Sequence, residues 1–284
     1  MQITFLGTAA ANAYPEAFCK CENCQKARVL GEKSLRKRSA ALINDDLLID
    51  LGPDIMTASQ THNTPLTNVR YCLQTHPHAD HLDLSHLLSR SPGFGVKGAP
   101  RLQFYASSAT LERADQTFSR DLSGYGLFDS EAEEKLNLQI HQIEPLQPFA
   151  LGSYHVVAFP ANHASGFGAL LYAIEKDGRS IFYGTDTATF FEEVWQAFHQ
   201  HRMRFDLAVL DQTYGPDEPG GDHLSAHQVI EHMKRLRAEG ILKEDGRVFV
   251  THIAHEGNPV HPELEEFASQ YGYEVAYDGL RITV

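Results

Sequence analysis

The chain has 284 residues, of which 42% are hydrophobic and 21% charged, and it carries a formal charge of −13 at neutral pH. That length buries a full core without disulfide staples, the composition argues against disorder, and no apolar stretch approaches the roughly 18 residues that span a bilayer, so no membrane partner is expected. The acidic balance disfavours long nucleic acids, whose binding rests on a basic surface that releases counterions, but a small anionic substrate stays open if bound divalent cations reverse the local field.

Ile3 to Leu6 reads as a first strand; it lacks the basic flank of an export signal, and a cytoplasmic location is expected. The segment Cys19-Lys20-Cys21-Glu22-Asn23-Cys24 reads as a loop with three thiols in six residues. In a reducing compartment such crowding points to zinc before disulfide, the alternative being free buried thiols of the kind Cys72 supplies within its strand. Ala40 to Ile43 and Leu47 to Asp50 pair as a hairpin across Asn44-Asp45-Asp46. Val69 to Leu73 is a buried strand running into a histidine-rich turn, and Leu82 to Leu88 has helical spacing.

From 91 to 150 the pattern is weaker: Arg101 to Tyr105 and Leu136 to Ile143 alternate like strands, as does Tyr154 to Phe159 beyond it, while Thr110 to Leu127 mixes helix and loop. Ala169 to Ile174 and Ser180 to Tyr183 form a second hairpin. Phe205 to Leu210 and Val248 to Val250 are later buried strands, separated by a helix from about Ser225 to Ala238 that opens with the capping-box pair Ser225 and Gln228. No internal repeat or low-complexity linker interrupts the chain. The expectation is one α/β domain over residues 1–284, a layered sandwich with mixed sheets.

The chemistry concentrates in His76-Pro77-His78-Ala79-Asp80-His81. Imidazole nitrogen and carboxylate oxygen are ligands that zinc, manganese and ferrous iron share, so the catalytic metal could be any of the three. Alternation sends His76, His78 and Asp80 to one side, whereas the adjacent Asp80 and His81 must diverge, which argues for two ions. Further ligands are expected at other strand ends, where open α/β sheets place their chemistry: His163, Asp186 and His252 each follow an apolar strand. Any one alone reads more readily as a core histidine or a turn aspartate, and it is their recurrence that favours a site. His255, three residues after His252, is a natural fourth ligand to the thiols of Cys19, Cys21 and Cys24, giving a closed structural zinc site.

These residues resemble the metallo-β-lactamase superfamily pattern, and the resemblance spans most of the chain. It implies a four-layer αβ/βα sandwich with two mixed β-sheets and two metal ions at its edge. By position, His76, His78 and His163 would hold one ion, Asp80, His81 and His252 the other, and Asp186 would bridge them. Asp50 resembles the superfamily's outer aspartate, which accepts a ligand histidine's N–H; otherwise it is a turn or helix-start residue.

The Cys-x-Cys-x-x-Cys loop together with Thr251-His252-Ile253-Ala254-His255 further resembles the phosphodiesterases of phosphonate breakdown that hydrolyse phosphoribosyl 1,2-cyclic phosphate. That subgroup carries another active-site histidine where Asp222-His223-Leu224 falls, so His223 becomes the candidate to contact phosphate or protonate the leaving oxygen; otherwise it is an exposed loop residue. The alanine-rich loop 7–14 and residues 91–150 depart from the subgroup, and either could line the substrate pocket.

The resulting expectation is a hydrolase of a small cyclic or sugar phosphodiester, using water activated between two divalent ions with Asp80 among their ligands and His223 beside them. An RNA-end nuclease or an ester, lactone or thioester hydrolase would use the same apparatus, but no basic arm marks an RNA enzyme. A non-catalytic accessory protein of cofactor biosynthesis is the third reading. Homodimerisation stays open.

Overall fold

Alternating side chains in the strands dictate the layers. In Phe205–Asp211, Leu207 and Val209 face one way into a core between two sheets, while Ala208 and Leu210 face the other way into a core beneath helices. The computed structural model describes residues 1–284.

In chain order the first half comprises β1 (Gln2–Gly7), α1 (Glu22–Leu30), β2 (Ala40–Ile43), β3 (Leu47–Ile49), α2 (Ile55–Thr61), β4 (Tyr71–Leu73), α3 (Ser85–Ser89), β5 (Leu102–Ser107), α4 (Ser108–Phe118), α5 (Ala132–Lys135) and β6 (Leu138–Ile143). The second half comprises β7 (Pro148–Leu151), β8 (Tyr154–Pro160), β9 (Leu170–Lys176), β10 (Arg179–Gly184), α6 (Glu192–Gln200), β11 (Phe205–Asp211), α7 (Ala226–Ala238), β12 (Leu242–Thr251), α8 (His261–Tyr271), β13 (Glu274–Val275) and β14 (Arg281–Thr283).

One sheet runs β14-β1-β2-β3-β4-β5-β6 and the other β13-β12-β11-β10-β9-β8-β7. Counted from β14 in the first and from β7 in the second, three antiparallel pairings are followed by three parallel ones, so β3, β4 and β5 correspond to β10, β11 and β12. The sequence shows no repeat, yet the two halves share one topology. The parallel strands all deliver their C-terminal ends to one edge, and every ligand candidate outside the thiol segment sits there.

Helices cover both outer faces. Val194 and Phe198 of α6, Val229, Met233 and Leu236 of α7, and Leu264 of α8 pack on the second sheet; Ile55, Leu87, Leu111 and Phe118 pack on the first. The α7 capping box forms as expected, with Ser225 and Gln228 satisfying each other's backbone N–H groups.

Two local expectations need correction. Cys19 to Cys24 is not all loop: Cys21 caps α1 by accepting from the Cys24 N–H, and Cys24 lies in the first turn. The helix expected over Leu82 to Leu88 shrinks to α3, because the Asp83 N–H bonds the Leu51 carbonyl (2.8 Å) and pulls the backbone off a helical path. Helices α1, α2, α6 and α8 and the short strands β7, β13 and β14 were not anticipated, although α6 buries Val194, Trp195 and Phe198 at ordinary helical spacing.

Candidate metal centre

The strand ends position the site, and backbone strain marks it. Asp50 follows β3, Asp186 follows β10 and His252 follows β12, and all three hold left-handed φ of 67°, 61° and 60°. Residues with a side chain at Cβ rarely adopt that region, which costs on the order of 1 kcal/mol or more each and persists only where surrounding contacts enforce it. Gly52 lets the Asp50 turn pass under the histidine motif, since a Cβ there would sit 2.9 Å from the Asp80 carbonyl.

Two ligand sets converge. His76, His78, His163 and Asp186 bring one donor atom each into a single cluster, and Asp80, His81, Asp186 and His252 form another. Asp186 belongs to both: its Oδ2 lies 3.0 Å from His76 Nε2 and 2.9 Å from His81 Nε2, and its Oδ1 lies 3.3 Å from His163 Nε2. Asp80 Oδ2 is 3.1 Å from His81 Nε2 and 3.7 Å from His252 Nε2.

The outer contacts settle which atoms face inward. Thr75 Oγ1 donates its one proton to Asp50 (2.8 Å), so it accepts from His76 Nδ1 at 3.0 Å, while Asp50 Oδ2 accepts from His81 Nδ1 at 2.7 Å. On the other half Thr213 Oγ1 donates to Asp211 (2.9 Å) and accepts from His252 Nδ1 at 2.8 Å. In neutral rings protonated at Nδ1, the Nε2 atoms of His76, His81 and His252 would present bare lone pairs to carboxylate oxygens and to one another, His81 and His252 meeting at 3.3 Å. Acceptors aimed at a common point repel unless a cation lies between them. Asp186 Oδ1, buried with no hydrogen-bond donor, adds to that argument. The donor set therefore fits two hard-to-borderline divalent ions sharing one carboxylate.

Electrostatics agree. Burial opposes charge on Asp80 and Asp186, yet His81 at the former and His252 and His76 at the latter hold both well below the ordinary carboxylate range. Burial lowers His163 to about 4 and His78 below its usual value, keeping both neutral as ligands require. His81 differs: burial favours its neutral form, but Asp80 and Asp50 outweigh that and raise it well above the ordinary value. Without a cation its Nε2 would carry a proton, which a divalent ion would displace.

His223 joins the centre, with Nδ1 at 3.2 Å from both Asp186 Oδ1 and Asp211 Oδ2. Burial alone would lower it; Asp211 and Asp186 raise it to about 9. It is not an exposed loop histidine, for it lines a cleft of about 310 Å³ with His78, His163 and His252. The alanine-rich loop lines the same cleft through Ala10 to Ala13. Residues 91–150 do not, although Thr110 holds the Phe167 carbonyl (3.1 Å) and Arg113 stacks on the Phe167 ring beside His78.

Cys19, Cys21, Cys24 and His255 likewise form one cluster. His255 Nδ1 lies 3.6 Å from Cys21 Sγ and 3.9 Å from Cys19 Sγ, and Asn23 anchors the His255 carbonyl at 3.0 Å. Burial works against the Cys21 thiolate, but the Cys24 N–H and neighbouring thiols bring it down to about 7, while burial pushes Cys24 up to about 12. The four soft and borderline donors fit a tetrahedral zinc.

Sequence reasoning missed Asp211, Thr75, Thr213 and Gln74, the residues that orient the ligands. Asp211 is fully buried and accepts from the backbone N–H of Asp186 (2.9 Å) and of Thr213 (2.8 Å). Its signal was present: like Asp186, it is an aspartate at the end of an apolar strand.

Comparison with known proteins agrees with this architecture. A beta-lactamase superfamily domain model matches residues 46–253. Coenzyme PQQ synthesis protein B of Cupriavidus necator is 26% identical over 318 residues, covering 99% of this chain and 99% of that protein. Among solved structures, a diphosphatase of the PhnP family superposes with a TM-score of 0.74 at 21% identity, covering 100% of this chain and 97% of the other. Zinc-bound PqqB from Methylobacterium extorquens superposes with a TM-score of 0.74 at 18% identity over the whole of both chains. At such identities the structural likeness speaks for the fold, and the family model speaks for descent: the chain belongs to the metallo-β-lactamase superfamily.

Proposed function

We propose that the protein is a divalent-metal-dependent hydrolase of small phosphodiesters, with a separate structural zinc at Cys19, Cys21, Cys24 and His255. The observation that carries this reading is the sharing of Asp186 between two ligand sets, with His223 at 3.2 Å from that same carboxylate. His76, His78 and His163 would hold one ion and Asp80, His81 and His252 the other. Such ions, when bound, lower the pKa of a coordinated water from about 15.7 toward about 7 and neutralise charge on phosphoryl oxygens. The chain's own residues do the rest.

Asp50 and Asp211 lock the ligand imidazoles, directly at His81 and through Thr75 and Thr213 at His76 and His252, so that little reorganisation accompanies the reaction. His223 has Nδ1 tied to Asp211, which leaves Nε2 to meet a substrate oxygen. The Asp211 carboxylate at its Nδ1 favours the protonated ring that donation to a departing alkoxide requires.

Metal-loaded protein should hydrolyse bis(p-nitrophenyl) phosphate and a ribose cyclic phosphate, and His223→Ala should lower kcat by about 10²-fold or more while leaving the metal content intact. No turnover of either compound, with metal shown bound, would end this reading. It would leave a second one, a role in cofactor synthesis, which the full-length likeness to proteins named for coenzyme PQQ synthesis favours.

A further inference from the structure

The cleft beside the ligand cluster has an unusual lining for an anion site: none of the residues that form it is lysine or arginine. Phosphate groups are ordinarily held by those side chains. Four buried carboxylates, Asp50, Asp80, Asp186 and Asp211, already match the charge of two divalent ions. One phosphodiester can still be held by the ions and His223, but no cation remains along the cleft wall for a second anionic group.

The wall is instead acidic. Asp222 and Glu256 line it, both on exposed loop positions, and neither is paired with a basic side chain. Tyr214, between them, donates to Asp222 Oδ1 at 2.8 Å. The two loops approach closely at Gly215 and Gly257, where a Cβ on Gly215 would fall onto the Gly257 carbonyl. Ala10, Ala13 and Ala254 add a small apolar surface to the same lining. A hydroxylated ring matches this pairing, with its face on the alanines and its hydroxyls donating to Asp222 and Glu256.

Resting on the phosphodiesterase reading above, we propose that the cleft accepts a phosphodiester whose remainder is an uncharged, hydroxyl-bearing ring and rejects one that carries a further phosphate. A phosphomonoester adds roughly −1.5 to −2 charge at neutral pH. Placed against two carboxylates with only water and salt to screen it, it should weaken binding by about tenfold or more.

Calorimetry of the full, metal-loaded chain with ribose 1-phosphate and ribose 1,5-bisphosphate reads this preference without turnover. The expected result is about tenfold tighter binding of the monophosphate, a gap that narrows in 0.5 M salt and in the double variant Asp222→Asn/Glu256→Gln. Equal or tighter binding of the bisphosphate by the unaltered chain, or a gap that the double variant leaves unchanged, overturns the proposal. Turnover of bis(p-nitrophenyl) phosphate, measured on the same samples, reports separately on the hydrolase reading.

Discussion

Replacing Asp50 by asparagine tests the idea that the outer carboxylates select the tautomer of the ligand histidines. Asp50 is fully buried; its Oδ1 accepts from Thr75 N (2.8 Å), Thr75 Oγ1 (2.8 Å) and Gln74 Nε2 (3.0 Å), and its Oδ2 accepts from His81 Nδ1 (2.7 Å). Every neighbour is a donor. An asparagine has one acceptor oxygen and one donor amide, so either orientation sets an N–H against a donor. If the amide faces His81, the ring is driven to the other tautomer and Nε2 loses the lone pair that would bind metal. If it faces Thr75, the buried Thr75 N–H is left without a partner, at a cost of about 1–3 kcal/mol. Outer partners of metal-bound histidines typically contribute about 10–100-fold in affinity, equivalent to roughly 1.4–2.7 kcal/mol. Competition with a chromophoric chelator should therefore show at least one catalytic ion weakened by that factor in Asp50→Asn, with the thiol site unaffected and circular dichroism showing a folded chain. Wild-type affinity at both catalytic positions would refute the tautomer argument.

Cys21→Ser should keep the α1 cap, since serine is a strong capping residue, yet remove a thiolate; elemental analysis should fall from about three ions per chain to about two with helix content unchanged. His261 is buried against Arg36, with Arg36 Nη2 2.8 Å from its Nδ1, and burial followed by that guanidinium lowers its pKa from 6.5 to about 3. Because the unfolded chain binds the proton more readily, this contribution is fully present above about pH 6.5 and is lost as pH falls toward 3. Chemical denaturation at several pH values should show a loss of a few kcal/mol across that window, and a flatter profile in His261→Asn. Phe198 packs on Phe159, Phe182 and Phe205 with ring centroids 4.9, 5.2 and 5.5 Å away; Phe198→Ala should cost about 3–5 kcal/mol in urea titration.

Much of the fold and the site was legible locally. The hairpins, the apolar parallel strands and the α7 capping box are written in periods of two and in turn and cap residues, which act over a few positions. The crowding of candidate donors was also legible, because histidines crowded after a strand have little other physical reason to occur together. What short-range pattern could not reach was the orientation of those ligands. Asp211 and Asp186 look alike as strand-end aspartates, and only the stacking of β10, β11 and β12 decides that one faces the ion sites and the other stands behind them, holding Thr213, His223 and the Asp186 backbone.

The chain's residues by themselves thus determined which donors exist and where the apolar strands that precede them end, since burial and backbone geometry are local demands. Tertiary packing alone decided that two topologically equivalent halves pack face to face with their ligand-bearing strand ends side by side. That meeting brings Asp186 between the two histidine sets and turns an acidic, arginine-free surface into the wall of the cleft. The physical reason is that convergence of side chains some 170 residues apart, as at His81 and His252, is a property of the packed sheets and of no segment within them.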